Sequence, residues 1–494
     1  MHKRHTKFEF TTLFMFLLAG TLLLSNGFIS RIFAQSTDVD VFEKIKPIGD
    51  VMNTVLDEYV TEPDMDKVVE GALVGMLNSL DKHSSFLSAE MLRSLREETK
   101  GEFFGIGVSI QLDDSKNVTV NPIPDSPAAK AGVQKNDIII KIDDVEVSQF
   151  AENEDYKKLD EVKNRIRGPE GSIVKVTMLR RHDKKDPEML DFEIKRGNIP
   201  LESVKESRLL SNGIGYIRIS DFKDTTARDL AKNLNELKAS GMTSLVLDLR
   251  WNVGGLLSAS SEVCELFLPK NTLVTYTKGR NTGHNNTTEN LKLYTEKNPI
   301  LPQDLPIVIL TNEDTASSAE IVTGAMQFWQ RALVIGQKTY GKGSVQTVIP
   351  LARPAGSALR LTTALYYTPA EVTINGEGIK PDVEVLMARE QQLALFKQMY
   401  SSLEEVPLGI GKYNHGSATG DAVSEGTVED IQLQKALDIL KEDPSFKNLI
   451  TKYHKDTHET QVAASSDPLG KTQQSADANA PEAQTQSEEP AVAE

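Results

Sequence analysis

At 494 residues the chain has room for roughly two to four domains and a substantial core. Its formal net charge of −16 argues against a nucleic-acid partner. The single cysteine, Cys264, excludes an internal disulfide framework but not an exported protein, which can do without one.

In chain order, Lys3, Arg4 and Lys7 precede an apolar run from Leu13 to Leu24, and Ala34 closes a candidate cleavage site. That pattern predicts a secretory signal over 1–34, with an uncleaved membrane anchor as the competing reading. The apolar run is short for a membrane span, is interrupted by Gly20 and Thr21, and runs into Ser25-Asn26-Gly27. Either reading puts the working chain outside the cytoplasm, in the periplasm or cell envelope. Residues 40–95 read as helices: Ile45, Ile48, Val51, Met52, Val55 and Tyr59 fall at helical spacing, and Val68 to Leu80 continues the pattern.

Between 100 and 195 three segments occur in order. They are Phe103-Phe104-Gly105-Ile106-Gly107-Val108, Ser126-Pro127-Ala128-Ala129-Lys130-Ala131-Gly132, and a strand pattern Asp137-Ile138-Ile139 reaching Ile142. Together they resemble a PDZ domain. The resemblance implies that Phe104, Gly105, Ile106 and Gly107 form a loop whose N–H groups capture a C-terminal carboxylate, the peptide adding as a strand. Asn136 and Asp144 stand where that family usually has glycine, so different turns are expected there. Tyr156 to Arg167 reads as a helix ended by Gly168-Pro169-Glu170-Gly171, and Val174 to Leu179 as a strand. Arg167 is a candidate for coupling this module to its neighbour, or a charge complementing the helix C-terminus.

From 196 the pattern becomes α/β: strand Gly213–Ile219, helix Thr226–Ala239, strand Leu245–Leu249, strand Ile307–Leu310. A helical pattern from Ile321 to Trp329 and a strand from Ala332 to Ile335 follow, then an alternating strand, Val345 to Ile349, and another from Leu359 to Tyr367. Helices are expected around Gln391–Met399 and Gln432–Leu440, forming a docking or dimer element. From Ala463 the composition is that of a disordered tail.

Two features mark Asp314 to Gln346 as the centre of the chain's chemistry. A serine at a helix start, Ser317, lies beside backbone N–H groups that can hold an oxyanion. A lysine, Lys342, can deprotonate that hydroxyl if its pKa falls from about 10.4 toward 7, which burial and distance from carboxylates favour. Ile321 to Ala370 contains no Asp or Glu, where the chain average of 71 in 494 predicts about seven. It does contain Arg331, Lys338, Lys342, Arg353 and Arg360. A buried core excludes carboxylates equally well, so the two accounts agree. Ser317 with Glu320 also fits a helix capping box. Gly336 to Lys342 approaches a phosphate-binding loop, but Gly343 replaces the required Ser or Thr and a strand follows in place of a helix.

At these residues the chain resembles the C-terminal processing peptidases, or tail-specific proteases. Their Ser-Ala-Ser-Ala-Ser-Glu-Ile and Phe/Tyr-Gly-Lys-Gly-x-Val-Gln segments correspond to 315–321 and 340–346. The resemblance implies Ser317 as nucleophile, Lys342 as general base and Gln346 as the group orienting that amine. Adjacent Ser318 is a rival nucleophile. Asp248-Leu249-Arg250-Trp251-Asn252-Val253-Gly254-Gly255 resembles the family's glycine turn, implying that Gly254 and Gly255 share the oxyanion hole with the Ser318 N–H. A turn needing positive φ explains the glycines too. Leu80-Asp81-Lys82-His83-Ser84 resembles the family's Leu-Asp-Pro-His-Ser segment, with His83 read as structural. Gly376 to Asp382 resembles its closing segment, although Ala370-Glu371-Val372 replaces the usual Ser-Gly-Arg.

The architecture expected is an α/β protease core, a mixed sheet with helices, carrying an inserted PDZ domain, an N-terminal helical region and C-terminal helices. The boundaries are 1–34 for the signal or anchor, 35–98 for the N-terminal helices and 99–195 for the PDZ domain. The core spans 196–388, the C-terminal helices 389–455 and the tail 456–494. The function expected is an exported serine endopeptidase acting on protein or peptide substrates with apolar C-termini. No metal or cofactor is expected. Membrane association through the N-terminus and a homodimer through the terminal helices complete the partner expectations. The alternative is a non-catalytic PDZ adaptor or chaperone with a degenerate protease domain.

Overall fold

The computed structural model describes residues 41–150, 155–182, 185–280, 290–400 and 428–454. The expected signal or anchor and the expected disordered tail lie outside them. The chain divides into two compact units, meeting in sequence at Leu80 and Asp81. In the first, helices Val41–Glu58 and Met65–Asn78 carry the expected apolar spacing, the second capped by Asp64 accepting from the Lys67 N–H. Phe42, Val51, Leu56 and Tyr59 are exposed.

In the second unit the PDZ module is a six-stranded antiparallel sheet around Val118–Pro122, Asp137–Ile142 and Ile173–Arg180. Ile106, Val120, Ile139, Val162 and Met178 fill its core. Strand Glu102–Gly105 pairs antiparallel with Gly197–Pro200 as a separate two-stranded sheet. Asn136 and Asp144 sit at φ 68° and 66°. The turns expected to differ therefore keep their left-handed residues, because Asn and Asp tolerate that region best after glycine. Glu371 does the same at φ 62°, where the family's glycine is missing.

The core is a six-stranded sheet in the order Val204–Leu209, Ile214–Ile219, Ser244–Asp248, Ile307–Thr311, Leu333–Gly336, Val383–Glu384. All its pairs but the first are parallel. Parallel strands are covered on both faces, and the alternation of these sequences divides the burden. Ile217, Ile219, Leu245, Leu247, Ile307 and Ile309 face helices Thr226–Ala239, Leu257–Glu265 and Ser318–Phe328. Tyr216, Val246, Val308 and Leu310 face the C-terminal helices Ile431–Glu442 and Phe446–Tyr453. A second sheet is built on the long strand Ala358–Tyr367, which pairs with Ser344–Pro350 and Leu273–Gly279.

Ser85–Leu87, inside the stretch expected to be helical, is instead a short strand paired antiparallel with Ala358–Arg360. Three residues cannot announce themselves by period; the partner strand makes them a strand. Helix Ala89–Lys100 follows, capped by the Ser88 hydroxyl and ended by Gly101 at φ 75°.

Candidate active site

Parallel strands Ser244–Asp248, Ile307–Thr311 and Leu333–Gly336 release their chains at one end of the sheet, and the loops leaving these C-terminal strand ends carry the candidate residues. Ser317 ends the second loop at φ 56°, ψ −121°, a backbone state costly for any residue but glycine. Its surroundings impose it. The Ala316 N–H donates to Asn252 O at 2.9 Å, and the Thr315 hydroxyl donates to Leu249 O at 2.9 Å. The Trp251 N–H donates to Asn312 Oδ1 at 2.9 Å, so the first and second loops are sewn together. The helix behind, Ser318–Phe328, is buried from Ser318 to Gln327, which explains its apolar sequence.

The glycine turn lies directly against Ser317. A Cβ on Gly254, at φ 95°, would fall 2.6 Å from Ser317 Cβ and 2.9 Å from Ser318 N. Gly254 O accepts from the Phe222 N–H at 3.0 Å, and a Cβ on Gly255 would strike Phe222 O at 2.0 Å. The Gly254 N–H is given to Asn252 Oδ1 at 2.9 Å, so Gly254 contributes space where the sequence suggested a donor. Ser318, the rival nucleophile, is buried, and its hydroxyl is bonded to Gly255 O and Leu256 O, each at 3.0 Å.

Glu320 joins the serine to the lysine. Its Oε2 accepts from the Ser317 N–H at 2.9 Å and the Lys342 N–H at 2.8 Å. Its Oε1 accepts from the Gly341 N–H at 2.7 Å and the Thr339 hydroxyl at 2.5 Å. Burial raises this carboxyl above its usual range, and the four donors oppose the rise. The Tyr366 hydroxyl makes a second clasp, its one proton lying between Lys342 O and Ser317 O, the latter at 3.2 Å. Beneath the lysine loop, the Gly376 N–H donates to Gly341 O at 2.8 Å, and a Cβ on Gly343 would lie 2.6 Å from Asn375 N.

The Lys342 amine has a depressed pKa. Burial is the largest cause, Arg360 and Lys82 add to it as neighbouring cations, and Glu320 opposes them. The carboxylate-free window was thus legible, but it began one residue too late. Glu320, read as a local cap, is bonded to the lysine's own backbone. Gln346 donates its side-chain amide to Ser344 Oγ at 2.9 Å and Thr362 Oγ1 at 3.1 Å. The 81–84 segment forms a wall nearby. Lys82 Nζ donates to the Tyr340 hydroxyl at 2.7 Å, and burial and the Lys342 charge depress the His83 pKa.

The model of peptidase family S41 matches residues 213–385, and a PDZ model matches 118–180. The carboxy-terminal-processing protease of Bartonella bacilliformis is 36% identical over 438 residues, spanning 86% of this chain and 95% of its own. The chain belongs to peptidase family S41. The carboxy-terminal processing protease CtpA of Bacillus subtilis is 32% identical over 383 residues, covering 77% of this chain and 78% of its own. Among solved structures, the photosystem II D1 C-terminal processing protease aligns at 28% identity, covering 68% of this chain and 86% of that one, with a TM-score of 0.38. The family and PDZ matches together make the chain a serine protease of the S41 family carrying a PDZ module.

Within this S41 protein the expected peptide-binding residues run from the end of strand Glu102–Gly105 into the link before the PDZ sheet, whose first strand begins at Val108. Gly105 pairs with Gly197, Phe104 O accepts from the Gly168 N–H at 3.3 Å, and Ile106 is buried, its carbonyl accepting from the Ala128 N–H at 2.8 Å. Gly107, at φ 76°, packs where a Cβ would lie 2.4 Å from Ser126 Cβ. Arg167 bridges outward: it donates to Glu97 Oε2 at 2.9 Å, and its guanidinium lies 4.2 Å from the Phe103 ring centre.

Arg250 of the glycine-turn segment is fully buried. It bonds Asp248 Oδ2 at 2.6 Å and Asp430 Oδ2 at 2.7 Å, while the Tyr216 hydroxyl donates to Asp248 at 2.8 Å. Asp430 caps helix Ile431–Glu442. The C-terminal helices are thereby tied to the turn beside Ser317.

Proposed function

We propose that this S41 protein is an exported endopeptidase using Ser317 as nucleophile and Lys342 as general base. The uncharged amine takes the Ser317 Oγ proton as that oxygen attacks the scissile carbonyl carbon. The oxyanion formed is held by the N–H groups of Gly255 and Ser318, with the missing side chain of Gly254 leaving room for it. The ammonium then returns its proton to the leaving amine, and water, deprotonated by the same lysine, hydrolyses the acyl-enzyme. Gln346 orients the amine between these steps.

One observation carries the reading: a single buried carboxylate, Glu320, gathers the backbones of Ser317 and Lys342, while burial and two cations favour the neutral amine. The PDZ loop Phe104–Gly107 is proposed to receive apolar C-termini of substrates, in keeping with the carboxy-terminal processing attributed to the relatives. Residues 1–34 are proposed to direct export, and the exposed apolar face of Val41–Glu58 to support a homodimer.

Incubating the protein with unfolded casein tests the chemistry, beside Ser317→Ala, Ser318→Ala and Lys342→Ala. Cleavage by the native chain and Ser318→Ala alone is expected. Equal cleavage by all four forms refutes the dyad, and none by the native chain supports the adaptor reading.

A further inference from the structure

We propose that Asp81 is a positioning residue for the reaction: by fixing the Thr362 hydroxyl proton it decides which end of the Gln346 amide faces Lys342. The inference rests on the reading of Lys342 as a base oriented by Gln346. Asp81 is anchored in a tight turn. Its Oδ1 accepts from the N–H groups of His83 at 2.7 Å and Ser84 at 2.8 Å, and its Oδ2 from the Ser84 hydroxyl at 2.8 Å. Ser84 Oγ in turn accepts from the Thr362 N–H at 3.2 Å, which locks the turn onto strand Ala358–Tyr367. Burial raises the Asp81 carboxyl, but these donors outweigh it and hold its pKa below the usual range.

An ionised carboxylate only accepts. The Thr362 hydroxyl, 3.3 Å from Asp81 Oδ1, must therefore point its single proton at Asp81. That turns a Thr362 Oγ1 lone pair toward Gln346, and only the nitrogen end of an amide can satisfy it, as the 3.1 Å Nε2 contact records. The second Nε2 hydrogen goes to Ser344 Oγ at 2.9 Å. Oε1 is left as the amide's free end, and it too only accepts.

The polarity matters because a neutral amine has two hydrogens and one lone pair. An acceptor takes a hydrogen and leaves the lone pair for the Ser317 proton. The reversed amide offers an N–H, which occupies that lone pair and disables the base. Nothing short-range in the sequence signals the relay, since Asp81 and Thr362 are separated by 281 positions.

The test uses the full chain and initial rates on unfolded casein. Thr362→Val keeps the branched shape without the hydroxyl and should lower kcat roughly ten- to a hundredfold, with KM changing less than about twofold. Thr362→Ser, which restores the hydroxyl, should return kcat to within about threefold of native. Asp81→Asn should also lower kcat, and the Asp81→Asn/Thr362→Val double variant should be no slower than Thr362→Val. Equal rates for Thr362→Val and native, equal impairment of Thr362→Ser and Thr362→Val, or losses that multiply in the double variant each overturn the relay. Thermal unfolding monitors the fold; should Asp81→Asn not fold, the two Thr362 variants decide alone. Lys342→Ala and Gln346→Ala run alongside. If Lys342→Ala cleaves, the base assignment falls and the relay with it; if both are inactive while Thr362→Val is normal, the relay alone falls.

Discussion

Replacing Glu320 with glutamine keeps the side chain's size and removes its charge. The carboxylate accepts two hydrogen bonds on each oxygen, from Ser317 and Lys342 on one and from Gly341 and Thr339 on the other. A glutamine amide has a single oxygen. Its less costly orientation keeps Ser317 and Lys342 bonded and turns NH2 toward Gly341, whose buried N–H then has no acceptor. Thr339 can adapt by rotating its hydroxyl. An orphaned donor costs roughly 1–3 kcal/mol, and weakening the surviving charge-assisted bonds adds about 1 kcal/mol more, giving a loss near 3 kcal/mol.

The loop carrying Lys342 relaxes at the same time, and a displacement of about 1 Å at a reacting group costs on the order of a hundredfold in rate. Thermal unfolding and initial rates on unfolded casein measure the two effects. The pH profile supplies a sign. The Glu320 anion holds the proton on Lys342, so removing it lets the amine's pKa fall further. Whatever activity remains should therefore persist to lower pH than in the native protein. Native rates with native stability, or an acid limb moved to higher pH, refute the role given to Glu320.

For the native protein, kcat/KM should rise with pH as Lys342 loses its proton, with a midpoint below the usual lysine value of about 10.4. Lys82→Met and Arg360→Met each remove a cation and should move that midpoint up; a flat profile refutes the lysine base. Gly254→Ala should reduce kcat on the order of a hundredfold or more, because the new methyl would sit 2.6 Å from Ser317 Cβ. Native kinetics for this variant would place the turn away from the reacting atoms. Asp430→Ala leaves buried Arg250 with one carboxylate in place of two and should cost about 3 kcal/mol in urea unfolding; an unchanged midpoint refutes the clamp.

The sheet core was legible because its strands are short apolar runs bounded by turns, and the expected helix Thr226–Ala239 is found with those bounds. Ser317, Lys342 and the glycine turn could be singled out as candidates because each sits in a compact segment. What escaped the sequence acts at a distance. Glu320 fits a capping box, and nothing within a few positions hints that its carboxylate reaches residues 339–342. Tyr366 looks like any inward-facing strand residue, although its hydroxyl reaches the carbonyls of both Ser317 and Lys342. Asp430 belongs to a segment read only as a docking element. Strand Ser85–Leu87 exists because Ala358–Arg360 lies beside it, which no local pattern encodes.

The Arg250–Asp430 bond has a consequence for biosynthesis. A ribosome delivers the serine, the lysine and the glycine turn well before it delivers Asp430, 180 positions after Arg250. Until then the guanidinium beneath the turn lacks its second carboxylate, and Tyr216, Val246, Val308 and Leu310 lack the helices that cover them. The sheet is thus completed last beside the candidate site, which a nascent chain carries unfinished until its final helices emerge.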